Sequence, residues 1–192
     1  MVNRQSFSDP LLSRVKPADR KQMLELSTNT LRALLLKKDL PNKKYEGLMI
    51  EKAGVFVTLK RDGDLRGCVG YPDAIFPLWE AIRKSTISSA VMDSRFREVR
   101  KEELPELKVE ITVLAPKRTF QPDEDKLEIG KHGLIIENPW TSGLLLPQVA
   151  VEESFSVEEF LDATCMKAGL PPGSWKEPDV NLYFFEGLYF QN

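Results

Sequence analysis

Apolar residues recur along the chain at the intervals that predict amphipathic helices in three places. In residues 17–38 and again in residues 74–92 they follow each other at steps of three and four, which places them on one helix face. Pro77 fits only the first turn of the second helix, because proline lacks the amide proton that an inner turn uses. The third helix is predicted to start at Ser156, where the sequence Ser-Val-Glu-Glu forms a capping box. Gly169, which two prolines follow closely, ends that helix.

Runs of β-branched residues bounded by turn signals predict strands between the helices. Residues 54–60 and 65–71 flank an Asp-Gly pair, which is typical of a tight hairpin turn. Apolar and polar positions alternate in residues 107–114, as expected of a strand with one buried face. A second hairpin is predicted from residues 132–137 and 143–146, and its unbroken run of three leucines indicates burial on both faces. These strands favour an antiparallel sheet.

Composition narrows the class of protein without naming a reaction. The chain has 192 residues, 42% apolar and 29% charged, which is usual for one globular domain or for two closely packed lobes. No apolar run approaches the roughly 18 residues of a membrane span, and the first ten residues lack the apolar core of a signal peptide. We therefore expect a soluble, cytoplasmic protein. Cys68 and Cys165 lie too far apart in sequence for a zinc knuckle and are expected to be reduced thiols.

Charge differs in sign between the two halves of the chain. Residues 1–70 hold 14 basic and 8 acidic side chains, whereas residues 71–192 hold 13 and 21. The lysines at positions 37, 38, 43 and 44 could contact a phosphate backbone. However, Asp39 interrupts them, and no aromatic side chain for base stacking lies between them in sequence. We favour the solvated end of a helix over nucleic-acid binding for this basic patch.

The sequence Leu-Arg-Gly-Cys-Val-Gly at residues 65–70 has the pattern most suggestive of chemistry. Alternation along a strand puts Arg66 and Cys68 on the same face, where the guanidinium would stabilise a thiolate. Glycines are poor strand formers, so the two glycines indicate a bulge or the close approach of a backbone or ligand. In the alternative interpretation, Cys68 is a small buried residue and Arg66 pairs with a carboxylate such as Glu110. We favour this alternative over nucleophilic catalysis, which also needs a base nearby.

His132 is the only imidazole in the sequence, so any histidine-based acid or base must be this residue. A metal site with two histidines is excluded, and no spacing of thiolates or carboxylates indicates another kind of metal centre. We expect neither a metal nor a cofactor. Arg95 and Arg97 follow the second predicted helix, where they could bind an anionic ligand or form salt bridges.

Six short motifs occur in order along nearly the whole chain, at residues 54–59, 65–70, 93–96, 132–134, 143–149 and 164–171. Together they resemble the AMMECR domain family, whose hallmark is a motif of the type Leu-Arg-Gly-Cys-Ile-Gly. Val69 stands in the isoleucine position of that motif. Ser94 replaces the proline of the family's Asp-Pro-Arg-Phe motif and leaves Arg95 and Phe96 in register.

The resemblance implies an α+β fold with two lobes built around antiparallel sheet and hairpins with flanking helices. It also implies a single AMMECR-like domain over residues 1–192. It implies no reaction, because the biochemical activity of the family is not established. The domain is sometimes joined to, or encoded beside, Memo-type and radical-SAM proteins, which are therefore the protein partners that the resemblance suggests. The oligomeric state stays open.

Three functions are compatible with these observations. The leading hypothesis is a cytoplasmic ligand- or protein-binding domain, accessory to a redox or modification pathway, whose binding residues are Arg66, Gly67, Cys68, Arg95 and His132. The second is an enzyme with Cys68 as nucleophile and His132 as base. The third is a nucleic-acid-associated housekeeping factor, which predicts a continuous basic face and affinity that falls steeply with salt.

Overall fold

The computed structural model describes residues 8–192 and confirms a mixed α+β fold. Its helices are α1 (Pro10–Arg14), α2 (Pro17–Leu35), α3 (Leu78–Val91), α4 (Pro147–Glu152) and α5 (Val157–Lys167). Its strands are β1 (Gly54–Arg61), β2 (Asp64–Tyr71), β3 (Leu107–Leu114), β4 (Arg118–Thr119), β5 (His132–Glu137), β6 (Ser142–Leu145) and β7 (Asn181–Gln191). The chain divides into two compact units. The first unit is Leu11–Leu114 with Tyr189–Asn192, and the second is Ala115–Leu188 with the described residues up to Pro10.

In the first unit, β1 lies between β2 and β3, and both pairings are antiparallel. Alternation sends Val55, Val57 and Leu59 of β1 to one face of the sheet, where all three are fully buried. Helix α3 packs against β1 and β2, and α2 packs against α3. Burial of this apolar face is the main source of stability for the unit.

In the second unit, β5 pairs antiparallel with both β6 and β7, and β4 pairs with β7. Helix α5 packs against β5 and β6. The buried core of this unit is formed by Phe120, Leu127, Leu134, Ile136, Ala150, Phe160, Leu161, Cys165, Leu182 and Phe184. None of the helices in residues 8–192 combines the length and the apolar character that a membrane crossing requires.

Most predicted elements form close to their predicted limits. Strand β3 matches its prediction residue for residue, and Ser156 is the N-cap of α5, with Oγ accepting from the amide of Glu159. Gly169 follows α5 with a φ of 78°, the left-handed conformation predicted from its position. Helix α2 ends three residues earlier than predicted. Lys37 takes a left-handed φ of 52°, and the amide of Lys38 turns back to the oxygen of Ala33.

Two boundary predictions are wrong for identifiable reasons. Pro77 is the N-cap of α3 rather than part of its first turn, and its extended ψ of 148° keeps the preceding residues out of the helix. Leu144 and Leu145 are only half-buried. Their strand β6 ends the sheet order and pairs with β5 alone, so the leucine run does not have the two covered faces predicted for it.

Candidate functional site

A β-bulge in β2 determines where Arg66 points. Leu59 of β1 lies opposite Gly67, whereas the next residue, Lys60, lies opposite Leu65. Arg66 is therefore the extra residue on β2. A bulge bends its strand locally and changes the direction of the side chain it carries.

The Arg66 guanidinium holds the loop that follows α3 against β2. Nε and Nη2 donate to the two carboxylate oxygens of Glu103 at 2.8 and 3.1 Å. Nη1 and Nη2 also donate to the main-chain oxygens of Arg97 and Glu98 at 2.8 and 3.2 Å. The hydrogen bond from Arg66 lowers the pKa of Glu103. The predicted pairing of Arg66 with a carboxylate is observed, but the partner is Glu103 rather than Glu110, because the bulge aims Arg66 at this loop.

Gly67 allows α3 to approach β2 more closely than a larger residue would permit. A Cβ atom at this position would lie 2.1 Å from the main-chain oxygen of Ser89 on α3. The Ser89 hydroxyl then bridges the two strands of the hairpin: it accepts from the amide of Val69 at 2.9 Å and donates to the oxygen of Val57 at 2.7 Å. The close backbone approach predicted from the glycines is thus observed.

Asp93 fixes Arg95 beside Cys68. The Asp93 side chain is only 6% exposed, and its Oδ2 accepts from the main-chain amide of Cys68 at 2.8 Å. Arg95 donates to Oδ1 through Nε at 2.9 Å and to Oδ2 through Nη2 at 2.7 Å. Nη2 also donates to the main-chain oxygen of Cys68 at 3.3 Å. The Arg95 hydrogen bonds, helped by the Cys68 amide, lower the pKa of Asp93 to about 2.

The Cys68 thiol belongs to a row of polar side chains that crosses the first unit's sheet. Thr58 lies opposite Cys68 on one side and opposite Glu110 on the other. Its hydroxyl donates to the Cys68 sulfur at 3.3 Å. Buried Glu110 meets the Lys60 ammonium at 3.1 Å and accepts from the Tyr189 hydroxyl at 3.0 Å. The face opposite α3 therefore carries a thiol, a hydroxyl and a charged pair in one row.

His132 lies in the second unit, on β5, and is 4% exposed. Its Nδ1 accepts from the main-chain amide of Glu128 at 3.0 Å, and its ring packs edge-on against Phe184 with centroids 5.0 Å apart. Burial is the main cause that lowers the pKa of His132. Its described contacts are those of a packed core histidine.

Of the predicted site residues, the structure brings together Arg66, Gly67, Cys68 and Arg95 around β2 of the first unit. His132 belongs to the second unit. In the part of the chain that the structure describes, no group of three or more histidine, cysteine or acidic side chains is arranged to hold a metal ion. The additional residues at the site are Thr58, Lys60, Ser89, Asp93 and Tyr189. Two of these residues lie in the sequence motifs of the chain: Thr58 belongs to the motif at residues 54–59, and Asp93 is the first residue of the Asp-Ser-Arg-Phe motif.

Comparisons with known proteins show the family of this chain. The AMMECR1 family model matches residues 24–190. Protein MK0488 of Methanopyrus kandleri is 47% identical over 151 residues, which cover 74% of this chain and 73% of that protein. A protein of Thermococcus gammatolerans is 50% identical over 150 residues, 73% of each chain. The crystal structure of the uncharacterized protein PH0010 from Pyrococcus horikoshii, at 42% identity, superimposes with a TM-score of 0.83 over 89% of this chain and 90% of its own. The chain therefore belongs to the AMMECR1 family.

Proposed function

We propose that the chain is a binding domain that recognises a hydrogen-bond acceptor on a ligand or partner through Cys68 and Arg95. The observation that carries this proposal is the Asp93 carboxylate, which accepts both from the Cys68 amide and from the Arg95 guanidinium. A nearly buried carboxylate used in this way holds the main chain of Cys68 and the Arg95 guanidinium in place before any ligand arrives. Such preorganisation lowers the entropic cost of binding.

The Arg95 guanidinium keeps capacity for a ligand. The Arg95 side chain is 44% exposed, and its Nη1 donates to no acceptor among residues 8–192. Cys68 is a half-buried residue. Because Asp93 already neutralises Arg95, the favoured ligand group is a neutral carbonyl that accepts from Nη1, and an anion has less to gain.

Binding is favoured over covalent catalysis by the groups around the sulfur. The Thr58 hydroxyl donates to Cys68, and a donor does not take the thiol proton. His132, the predicted base, is buried in the second unit with its Nδ1 accepting from Glu128. A thiol-bearing binding site suits a protein accessory to a redox or modification pathway in the cytoplasm. Memo-type and radical-SAM proteins, suggested by the family resemblance, are candidate partners.

The test compares the proteins and small molecules that bind to the wild-type chain with those that bind to variants lacking the Arg95 guanidinium or the Cys68 thiol. Tagged wild-type chain, Arg95→Gln and Cys68→Ser are purified from native extract, and bound proteins and small molecules are quantified by mass spectrometry. Arg97→Gln is the matched control, because that exposed side chain belongs to the same loop. Thermal unfolding of each variant shows that it is folded.

We expect at least one species enriched by the wild type and by Arg97→Gln and depleted about tenfold by both site variants, the change that about 1.4 kcal/mol produces. If folded Arg95→Gln and Cys68→Ser capture the same species as the wild type in the same amounts, this surface is not the binding site.

A further inference from the structure

We infer that a concave surface of the first unit binds a small organic carboxylate. This groove lies between α2 and the last residues of the chain and has a volume of about 530 Å³. That volume is within the range of small-molecule sites. It does not include Cys68 or Arg95, so the inference is independent of the function proposed above. The lining residues that matter are Pro17, Arg20, Leu24, Thr28, Phe190 and Asn192.

Arg20 is the group that points to a ligand. Its Nε is shielded from solvent, yet no residue in the range 8–192 accepts a hydrogen bond from it. A charged donor that has lost water without gaining an acceptor is unfavourable, and folded proteins rarely leave one in that state. A ligand with a hydrogen-bond acceptor would give the Arg20 Nε a partner.

The other charged side chains that line the groove do not supply an acceptor for the Arg20 Nε. Lys21, the second cation of the lining, faces Glu25 at 3.9 Å one helical turn away. Both of those side chains are more than half exposed. The carboxylate of Glu25 is thus associated with Lys21, and Arg20 is the cation of the groove that an incoming anion would pair with.

The lining also selects for an apolar body on the ligand. Leu24 follows Arg20 by four residues, so the two share a face of α2. Phe190 lines the groove as well, together with Pro17. A bare inorganic anion would leave these apolar surfaces in water, whereas a carboxylate on a hydrocarbon or aromatic body would cover them.

The groove is built before a ligand enters. The main-chain amide of Val109 on β3 donates to the side-chain oxygen of Asn192 at 3.0 Å, and the main-chain amide of Asn192 donates to the main-chain oxygen of Val109 at 3.3 Å. The Asn192 side-chain amide also donates to the Thr28 hydroxyl at 3.5 Å. These bonds hold the last residues of the chain near α2. A carboxylate that enters this groove would pair with the Arg20 guanidinium.

The experiment uses 3-phenylpropanoate as the probe, with 3-phenylpropanamide as its uncharged match and inorganic phosphate as the anion without an apolar body. Each is titrated into the ¹⁵N-labelled full chain while the backbone amides and the arginine Nε–H signals are followed by NMR. The variants are Arg20→Gln and, as a control on the same helix, the exposed Arg32→Gln. The spectra themselves show whether each variant is folded.

We expect saturable shifts at Leu24, Thr28 and Phe190 and at the Nε–H of Arg20 with the carboxylate. Binding should weaken at least tenfold for the amide, for phosphate and for Arg20→Gln, and should be unchanged in Arg32→Gln. The inference is overturned by the absence of saturable shifts in the groove, by equal binding of the amide or of phosphate, or by undiminished binding to folded Arg20→Gln.

Discussion

The main-chain amide of Cys68 donates to the side chain of Asp93, which lies 25 residues further along the chain, across a distance of 2.8 Å. This bond joins the middle of β2 to the loop that follows α3. The same carboxylate binds Arg95, so one acidic group positions both parts of the proposed binding surface. The stability of the hairpin and the geometry of the site are therefore coupled through Asp93.

Replacement of Asp93 by asparagine should destabilise the chain in a pH-dependent way. The pKa of Asp93 falls from 3.8 to about 2 on folding, which corresponds to about 2 kcal/mol of stability at neutral pH. Because the folded pKa is the lower one, this stability is present above pH 3.8 and is lost as the pH falls towards about 2.

Urea unfolding of the wild type and Asp93→Asn measures the difference, with Asp64→Asn on an exposed position of β2 as control. The gap between wild type and Asp93→Asn should be about 2 kcal/mol at pH 7 and narrow below about pH 4. A gap of constant size across this range would contradict the assigned role of the charge.

Loss of the Arg66 side chain should loosen residues 97–103. Arg66→Ala removes two hydrogen bonds to Glu103 and one each to Arg97 and Glu98. We expect the free energy of unfolding to fall by about 2 kcal/mol. Arg66→Lys should restore only part of this stability, because an ammonium group lacks the planar set of donors with which a guanidinium binds a carboxylate. Hydrogen exchange of this loop is the measurement, and exposed Lys101→Ala is the control. Unchanged exchange in Arg66→Ala would rule out the anchoring role.

Iodoacetamide should label Cys68 faster than Cys165 in the native chain. Cys68 is half-buried, whereas Cys165 is fully buried and burial raises the pKa of its thiol. Timed labelling with peptide mapping gives the two rates. Equal protection of both thiols until the protein unfolds would show that Cys68 is a core residue rather than part of a binding surface.

Addition of a single methyl group at Gly67 should be strongly destabilising. The new Cβ would lie 2.1 Å from the oxygen of Ser89, so α3 must move away from β2. We expect Gly67→Ala to cost about 3 kcal/mol, as overpacking does in tight interiors. Chemical unfolding measures this, and Ser89→Ala, which removes the bridging hydroxyl without a clash, is the comparison. A Gly67→Ala protein as stable as the wild type would mean that the two elements can separate freely.

The capping box of α5 should contribute a modest part of the stability. Ser156 accepts from the amide of Glu159 at 3.3 Å, and the Glu159 carboxylate accepts from the amide of Ser156 at 2.8 Å. Ser156→Ala should lower the free energy of unfolding by about 1 kcal/mol. Ser156→Asp should keep most of the stability of the wild type, because aspartate is also a good N-cap. Equal stability of all three proteins in thermal unfolding would argue against the cap.

Helices, strands and turns that depend on residues close together in the chain could be predicted from the sequence. The Asp-Gly turn adopts left-handed φ values of 54° at Asp62 and 90° at Gly63, the conformation that this pair favours. The alternation in β3 and the cap at Ser156 depend likewise on residues within a few positions of each other. The end of α2 was missed because Lys37, an ordinary residue, adopts the left-handed conformation usually taken by glycine.

The partners of the site residues depend on contacts that the sequence does not encode locally. Arg66 binds Glu103, 37 residues away, because a bulge turns it towards a loop whose path depends on α3. Glu110 alternates correctly with its apolar neighbours, yet its pairing with Lys60 follows from strand register. The position of His132 in the core likewise depends on the packing of β5 and β7.

The Asp93 and Arg95 side chains also act as a substitute for a neighbouring strand. β2 ends the sheet order, so the amide and oxygen of Cys68 that β1 does not use face outwards. Unpaired main-chain groups at a sheet edge can pair with a strand of another chain, which is a common first step of aggregation. Here the outward amide donates to Asp93 and the outward oxygen accepts from Arg95. The loop that positions Cys68 therefore also keeps the edge of the sheet from pairing with strands of other chains.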